Sequence, residues 1–454
     1  MKIINKLFII LLFTAVFTSC DLDIKPVDSV VEQDAITDAA SVSALLIGGY
    51  DRLSDDDLYG GWIQMNSDLL GTNFDVTWGG TFFDPRDIWQ KVMTSNNGQA
   101  EATWTEAYET INVANTVLAN LDKADNNPVI EGEAKFIRGT VYFELIRLYA
   151  KDWNDGNPAV NLGVPLKLEA TDLVYNPDAN SLSRNTVQQV YAQILADLQD
   201  AEANLPEENG FFATTWAAKA MLARVHLQRR EYDLARIKAN DVIESGFFSL
   251  ADRVDRSFNL ETNSDEDIFA IQVTNQDGVN DLHTFYASRD LNGRRDIRIR
   301  SEFLDLFDPS DERLTRLIYA DGSRNLSGKY QNQFTNITVI RLAEMYLIRA
   351  EGNLLDGGAQ VGPNTAGEDL QVLRDRAKAS AAPAFPTIDD IMLERKLELG
   401  FEGHFVHDIK RREATIDQFG PILWNADELV MPIPQREMDA NPALVGQQNP
   451  GYAD

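Results

Sequence analysis

Residues 213–246 read ATTWAAKAMLARVHLQRREYDLARIKANDVIESG, and two helices back to back are written in them. Trp216 to Gln228 carries Ala217, Ala218, Ala220 and Ala223 among larger apolar residues. Tyr232, Ala235, Ala239, Val242 and Ile243 then recur at spacings of three and four, which gathers them on one helix face. Gly246 stands where a helix C-cap belongs. Small side chains on both helices let the paired backbones approach closely. A lone helical hairpin cannot bury its apolar face, so several must stack.

The same periodicity extends in both directions. Upstream, Trp104, Tyr108, Ile111, Ala114 and Leu118 share one face, and Ala134, Ile137, Val141, Leu145 and Leu148 another. Asp125-Asn126-Asn127-Pro128 ends the first of these helices. Val187, Val190, Ile194, Leu198, Ala201 and Leu205 form a further stripe, stopped by Pro206. Downstream, Ile340, Ala343, Leu347, Ala350 and Leu354 predict a helix, with two more at about 370–377 and 388–411. The 34-residue span of 213–246, with alanines on both helices, resembles a tetratricopeptide repeat. The expectation is an all-α fold: one domain over 34–454, with a helical-hairpin scaffold at about 34–54, 97–246 and 338–411. Two stretches depart from it. Residues 55–100 are rich in Gly, Asp, Asn and aromatics, and residues 248–335 mix strand-like runs such as Ile268-Phe-Ala-Ile-Gln-Val273 with polar loops. Loops this long in a compact domain are functional or disordered, and the aromatic content speaks against disorder.

The first twenty residues fix the expected compartment. Lys2 and Lys6 precede an apolar run from Leu7 to Phe17, and Thr18-Ser19-Cys20 follows, with the only cysteine of the chain. The run is about half of what spans a bilayer. This pattern resembles a bacterial lipoprotein signal over residues 1–19, cleaved before Cys20, with Cys20 lipidated and residues 20–33 as a tether. With one cysteine, disulfides cannot staple the fold, which must rest on a packed core. The net charge of −30 repels nucleic acid and anionic lipid. The charge is read first as a means of solubility or of life in salty water; beyond that it weakly favours a neutral ligand, which one local basic pocket could overrule.

No catalytic motif stands out: G-x-S-x-G, the P-loop and H-E-x-x-H are all missing. His404 and His407 alone make a poor metal site, and Glu394, Arg395, Glu398 and Glu402 read as structural ion pairs. No enzyme activity, cofactor or metal is expected. The aromatics carry more. Trp62, Trp78, Phe82, Phe83 and Trp89 crowd a segment of Gly, Asn and Asp. Sugar rings present flat C–H patches that stack on exposed aromatic faces, while Asp, Asn and Gln hydrogen-bond hydroxyls. The expected binding face joins 60–85 to loops at 275–295. Trp78 is its stacking platform, Trp62 and Phe82 flank it, Asp68, Asn73 and Asp75 serve hydroxyls, and Tyr286 closes the site. Trp89 and Trp104, with helical apolar neighbours, are assigned to packing.

Taken in order, several segments resemble the SusD/RagB family of Bacteroidetes outer-membrane lipoproteins. They include Gly132-Glu-Ala-Lys-Phe-Ile-Arg-Gly-Thr-Val-Tyr-Phe-Glu-Leu-Ile-Arg-Leu-Tyr149, Gly163-Val-Pro-Leu166 and Ile340-Arg-Leu-Ala-Glu-Met-Tyr-Leu-Ile-Arg-Ala-Glu351. Glu394 to Gly403, Asp408-Ile-Lys-Arg411, Pro432-Ile-Pro434 and Asn449-Pro-Gly-Tyr452 continue the series. The resemblance implies a tetratricopeptide-type scaffold with an irregular, loop-rich ligand face. It implies a non-enzymatic, lipid-anchored protein of the cell outer membrane. Such a protein captures oligosaccharide for a SusC-like TonB-dependent transporter, with a peptide-binding RagB-like role as the alternative. Asp21 and Asp23 are similar to acidic signals that send such lipoproteins to the cell surface. A neutral glycan such as a β-glucan fits the acidic composition.

Lipidation has a direct test. Cys20→Ala is expected to release the protein from the membrane fraction and abolish fatty-acid labelling. A variant still labelled and membrane-bound overturns this reading of the leader.

Overall fold

The computed structural model describes residues 36–171, 181–276 and 278–452. Cys20, the leader and the tether lie outside them. Helix α1 (Ala39–Leu53) starts at Asp38, whose carboxylate accepts from Ser41 N while the Ser41 hydroxyl answers the cap backbone. Then come α2 (Trp62–Gly71), β1 (Val76–Trp78), α3 (Phe83–Gln90) and α4 (Gly98–Ala119). The Asp125–Pro128 turn works as its composition predicts. Asp125 and Asn126 take left-handed φ values of 54° and 50°, and Asn127 caps α5 (Pro128–Tyr149) with proline in its first turn. Helices α6 (Val187–Asn204), α7 (Thr215–Gln228) and α8 (Tyr232–Ile243) complete this half of the scaffold.

The second half opens with β2 (Asp267–Ile271), α9 (Asp281–Tyr286) and β3 (Ile297–Ile299). It continues through β4 (Ile318–Asp321), β5 (Arg324–Ser327) and β6 (Ile337–Arg341). Helices α10 (Leu342–Leu355), α11 (Ala366–Ala377), α12 (Ile388–Leu399) and α13 (Phe405–Arg412) follow. The fold is mostly helical, with a small sheet of order β1-β3-β5-β4 and a β2–β6 pair. Successive helices from α4 to α8 pack as neighbours, then α8 on α10, and α10 on α11 and α12. One buried apolar cluster runs from Ile36 to Leu444.

Buried arginines pin the stacked helices. Arg138 of α5 grips Asp197 of α6 through two bonds of 2.8 and 2.7 Å. Arg224 of α7 holds Glu344 of α10 in the same bidentate way, and Arg349 of α10 holds Asp369 of α11. Arg411 of α13 reaches Glu351 of α10. Planar guanidinium forks match carboxylates at fixed angles, so each pair sets the rotation of one helix against the next.

Three expectations change. Ile340 belongs to β6: residues 337–341 find ladder partners on β2, with Ile271 opposite Ile337, so the helix starts at Leu342. The span 388–411 is two helices, because Phe401 and Gly403 take φ values of 71° and 86° between them. Residues 55–100 are not an irregular loop. Every residue of α2 is buried, its polar side chains finding partners: Asn66 donates to Thr103 Oγ1 at 3.2 Å, and Ser67 Oγ lies 2.6 Å from His407 Nε2. Burying such groups demands internal partners, a condition that periodicity cannot reveal.

Ala220 and Ala239 are fully buried between the hairpin helices. A leucine at either site is expected to overpack the interface and cost about 1–3 kcal/mol, seen as a lowered Tm. An unchanged Tm for both would refute this packing.

Candidate ligand-binding face

Antiparallel pairing of β1 with β3 sets Val76 opposite Ile299, Thr77 opposite Arg298 and Trp78 opposite Ile297. This brings the 72–85 stretch beside 281–300. Phe285 of α9 is the hub of the junction. Its ring centroid lies 5.1 Å from Trp62, 5.6 Å from Trp78 and 6.1 Å from Phe82. Edge and tilted geometries of this kind are the favoured ones for aromatic neighbours. The indole N–H groups are used internally: Trp62 donates to Asp281 Oδ2 at 2.8 Å and Trp78 to the Phe82 carbonyl at 3.1 Å.

The surface of this cluster is made by Phe82 and Phe83, 48% and 66% exposed. Each ring carries an arginine. The Arg294 guanidinium sits 4.4 Å from the Phe82 centroid and Arg86 sits 4.5 Å from that of Phe83. Arg294 is fixed in turn by Asp296 at 2.8 Å. Phe82 and Phe83 thus offer two exposed rings, a wall in which Phe82 rests on Phe285, itself packed on Trp62 and Trp78, and Phe83 follows it in the chain. Burial pushes the Asp281 carboxyl up to about 6, against the Trp62 hydrogen bond. Burial, with Asp281, Asp55 and Asp57 adding repulsion, pushes Asp56 to about 7.

The predicted site residues fare unevenly. Trp78 and Trp62 are buried, only 6% and 5% exposed, so their faces serve Phe285. β1 is the edge strand of the sheet, yet its pairing with β3 lays Trp78 on Phe285 and buries it despite its glycine-rich neighbours. Asp68 is fully buried, accepts from Gly403 N at 3.2 Å, and is raised well above the carboxylate range by burial. Asp75 is buried and paired with Lys396 at 2.6 Å. Tyr286 points away from the wall into the core, 5.4 Å from Tyr330 and 5.9 Å from Phe401. These five are corrected to packing and framework residues. Asn73 is half-buried and already bonded to the Thr415 carbonyl and Asp417 N, so it holds the 415–417 segment. Phe82 keeps its assigned place at the surface. Phe285, Arg86 and Arg294 are additions; strand pairing brings Phe285 and Arg294 there, and no local pattern marks them. Trp104 is buried, and Trp89 packs on Phe419 at 5.1 Å, as assigned.

No group of three or more His, Cys, Asp or Glu among the described residues is arranged to hold a metal. His404 and His407 lie in the core, where burial drives His404 down to about 3 and His407 well below the usual histidine range. No helix among those residues is long and apolar enough to cross a membrane.

Residues 64–227 match the family described as starch-binding associating with outer membrane, and residues 312–452 match the SusD family. The chain belongs to the SusD/RagB family. Its members are carbohydrate-binding proteins associated with the outer membrane. This SusD/RagB member is 26% identical over its full length to SusD-like protein P2 of Formosa agariphila, whose length is also fully covered. A SusD superfamily protein of Bacteroides thetaiotaomicron shares the fold at a TM-score of 0.81 and 24% identity, covering 91% of this chain and all of the other. A laminarin-binding SusD-like protein shares it at a TM-score of 0.73 and 22% identity, covering 92% of this chain and all of the other.

The two tiers of the wall separate by mutation. Trp78→Ala is expected to destabilise the fold by about 3–5 kcal/mol, the cost of removing a buried large aromatic. Phe82→Ala is expected to cost about 1 kcal/mol or less, as for surface changes. Equal losses in denaturant unfolding would refute the division.

Proposed function

We propose that this protein captures an oligosaccharide on the Phe82–Phe83 wall and passes it to a SusC-like TonB-dependent transporter, without chemistry of its own. The carrying observation is the exposed Phe82 ring, backed by Phe285 and flanked by Arg294, with the exposed Phe83 ring, which carries Arg86, next to it in the chain. Rings already fixed lose little freedom when a sugar stacks on them, which lowers the ordering cost of binding. Membership in a carbohydrate-binding family supports the reading, and the fold itself serves a laminarin-binding protein elsewhere. An extended peptide would seek an open strand edge, but the Val76 carbonyl of β1 is already taken by the Trp89 N–H at 3.1 Å. Anchoring through Cys20 would hold the protein at the outer membrane beside its transporter.

Affinity electrophoresis in gels containing starch, laminarin and other polysaccharides tests the capture step. Retardation by at least one glycan is expected, with a Kd of roughly micromolar or weaker. The Phe82→Ala, Phe83→Ala double variant should lose about tenfold or more of that affinity, equal to a large share of a stacking contact. Full retention by the double variant would place the site elsewhere. Purification from native outer membranes in mild detergent should bring down a large TonB-dependent transporter, and recovery of the lipoprotein alone would count against the delivery step.

A further inference from the structure

Arginines gather on one side of the wall although the molecule as a whole is acidic. The chain carries −30 overall, yet Arg294, Arg295, Arg298 and Arg324 gather beside residues 79–82. Two of them are neutralised: Arg294 by Asp296 at 2.8 Å and Arg295 by Asp321 at 2.7 Å. Arg298 and Arg324 make no direct ion pair among the described residues, although the Asp296 carboxylate, held by Arg294, also attracts Arg298. Arg298 reaches only the carbonyls of Gly79, at 3.1 Å, and Arg295, at 3.4 Å. Its guanidinium occupies the space a side chain at position 79 would need, since a Cβ there would stand 2.3 Å from Cζ. Arg324 Nε is buried without a partner. Burial, then the neighbouring charges of Arg324 and Arg295, hold Arg298 below its ordinary value, as crowded cations do.

We propose that Arg298 and Arg324 receive a carboxylate or sulfate group of the glycan stacked on Phe82, so that the ligand is an acidic polysaccharide. The proposal rests on the glycan reading above. Planar guanidinium groups bind such oxyanions through paired hydrogen bonds, and two cations without ion pairs on adjoining strands, close enough to repel, are stabilised when an anion joins them. The expectation of a neutral β-glucan follows from net charge alone. At physiological salt, however, charge is screened over about 8 Å, so a bound group feels the adjacent arginines and not the distant acidic surface.

Titration calorimetry of the full mature chain with three sets of oligosaccharides decides it: galacturonate oligomers, sulfated dextran oligomers and neutral laminarin oligomers. One or both acidic sets should bind about tenfold or more tighter than the neutral set, and added salt should weaken them. The first two sets tell carboxylate from sulfate. Arg298→Gln combined with Arg324→Gln should abolish this preference with Tm unchanged, and Arg298→Lys alone should keep part of it. Phe82→Ala should weaken the acidic ligands too. Equal affinity for acidic and neutral sets overturns the proposal and leaves glycan capture standing. Acidic binding that survives the double arginine variant, or that ignores Phe82→Ala, also overturns it. Failure of all three sets to bind overturns it and counts against the capture reading as well.

Discussion

Arg341 sits at the end of β6, fully buried, and holds three carboxylates at once: Glu266, Glu398 and Glu402. Arg376 and Lys329 share those same acids, and Arg313 joins Glu398 to Glu394. Burial alone raises the Glu398 carboxyl, but Arg376, Arg341 and Arg313 outweigh it and keep it well below its usual range. A single buried charge costs several kcal/mol, so each member of such a network is tolerated only while the others are in place. The chain segments that supply them, 266–267, 313–341, 376 and 394–402, must therefore assemble together. Everything between α8 and the C-terminal helices is anchored at this point.

The candidate ligand face inherits that anchoring. Arg341 fixes the β6 end, Lys329 bonds the carbonyls of Glu398 and Gly400, and the adjoining β5 pairs with β3, which pairs with β1. The exposed rings of Phe82 and Phe83 thus stand on a short series of hydrogen-bonded strands whose far side is ionic. Nothing in that series is long: β1 and β3 are three residues each. Precision at the wall comes from cross-bracing by indole N–H groups and arginines.

Much of the scaffold is legible in sequence because it repeats. The alanines of 217–239, the Asp125–Pro128 break and the stripe of 187–205 each depend on neighbours within a few residues. Periodicity reads such positions well. The same tool misplaced Ile340, because apolar residues at a strand–helix junction satisfy both patterns until a partner strand is known. The wall was half legible. Aromatic crowding in 62–83 pointed to the segment that carries the exposed Phe82 and Phe83 rings. Which ring faces water was hidden, because Trp78 is turned inward by β3, more than two hundred residues away in sequence. Phe285, Arg298 and Arg324 reach the candidate face only through strand pairing of β1 with β3 and of β3 with β5. The acidic total likewise concealed a basic rim, since a sum over the chain carries no information about place.

Gly71 ends α2 where a Cβ would come within 2.0 Å of Val406 N on α13. Helix α2 therefore lies directly on backbone, with no side chain to cushion a shift. Its first residue, Trp62, is part of the base of the wall. A small rotation of α13 has nowhere to be absorbed before it reaches the rings. Sequence drift in the C-terminal helices is thus felt at the exposed rings, and the shape of that surface can be inherited through residues that form no part of it.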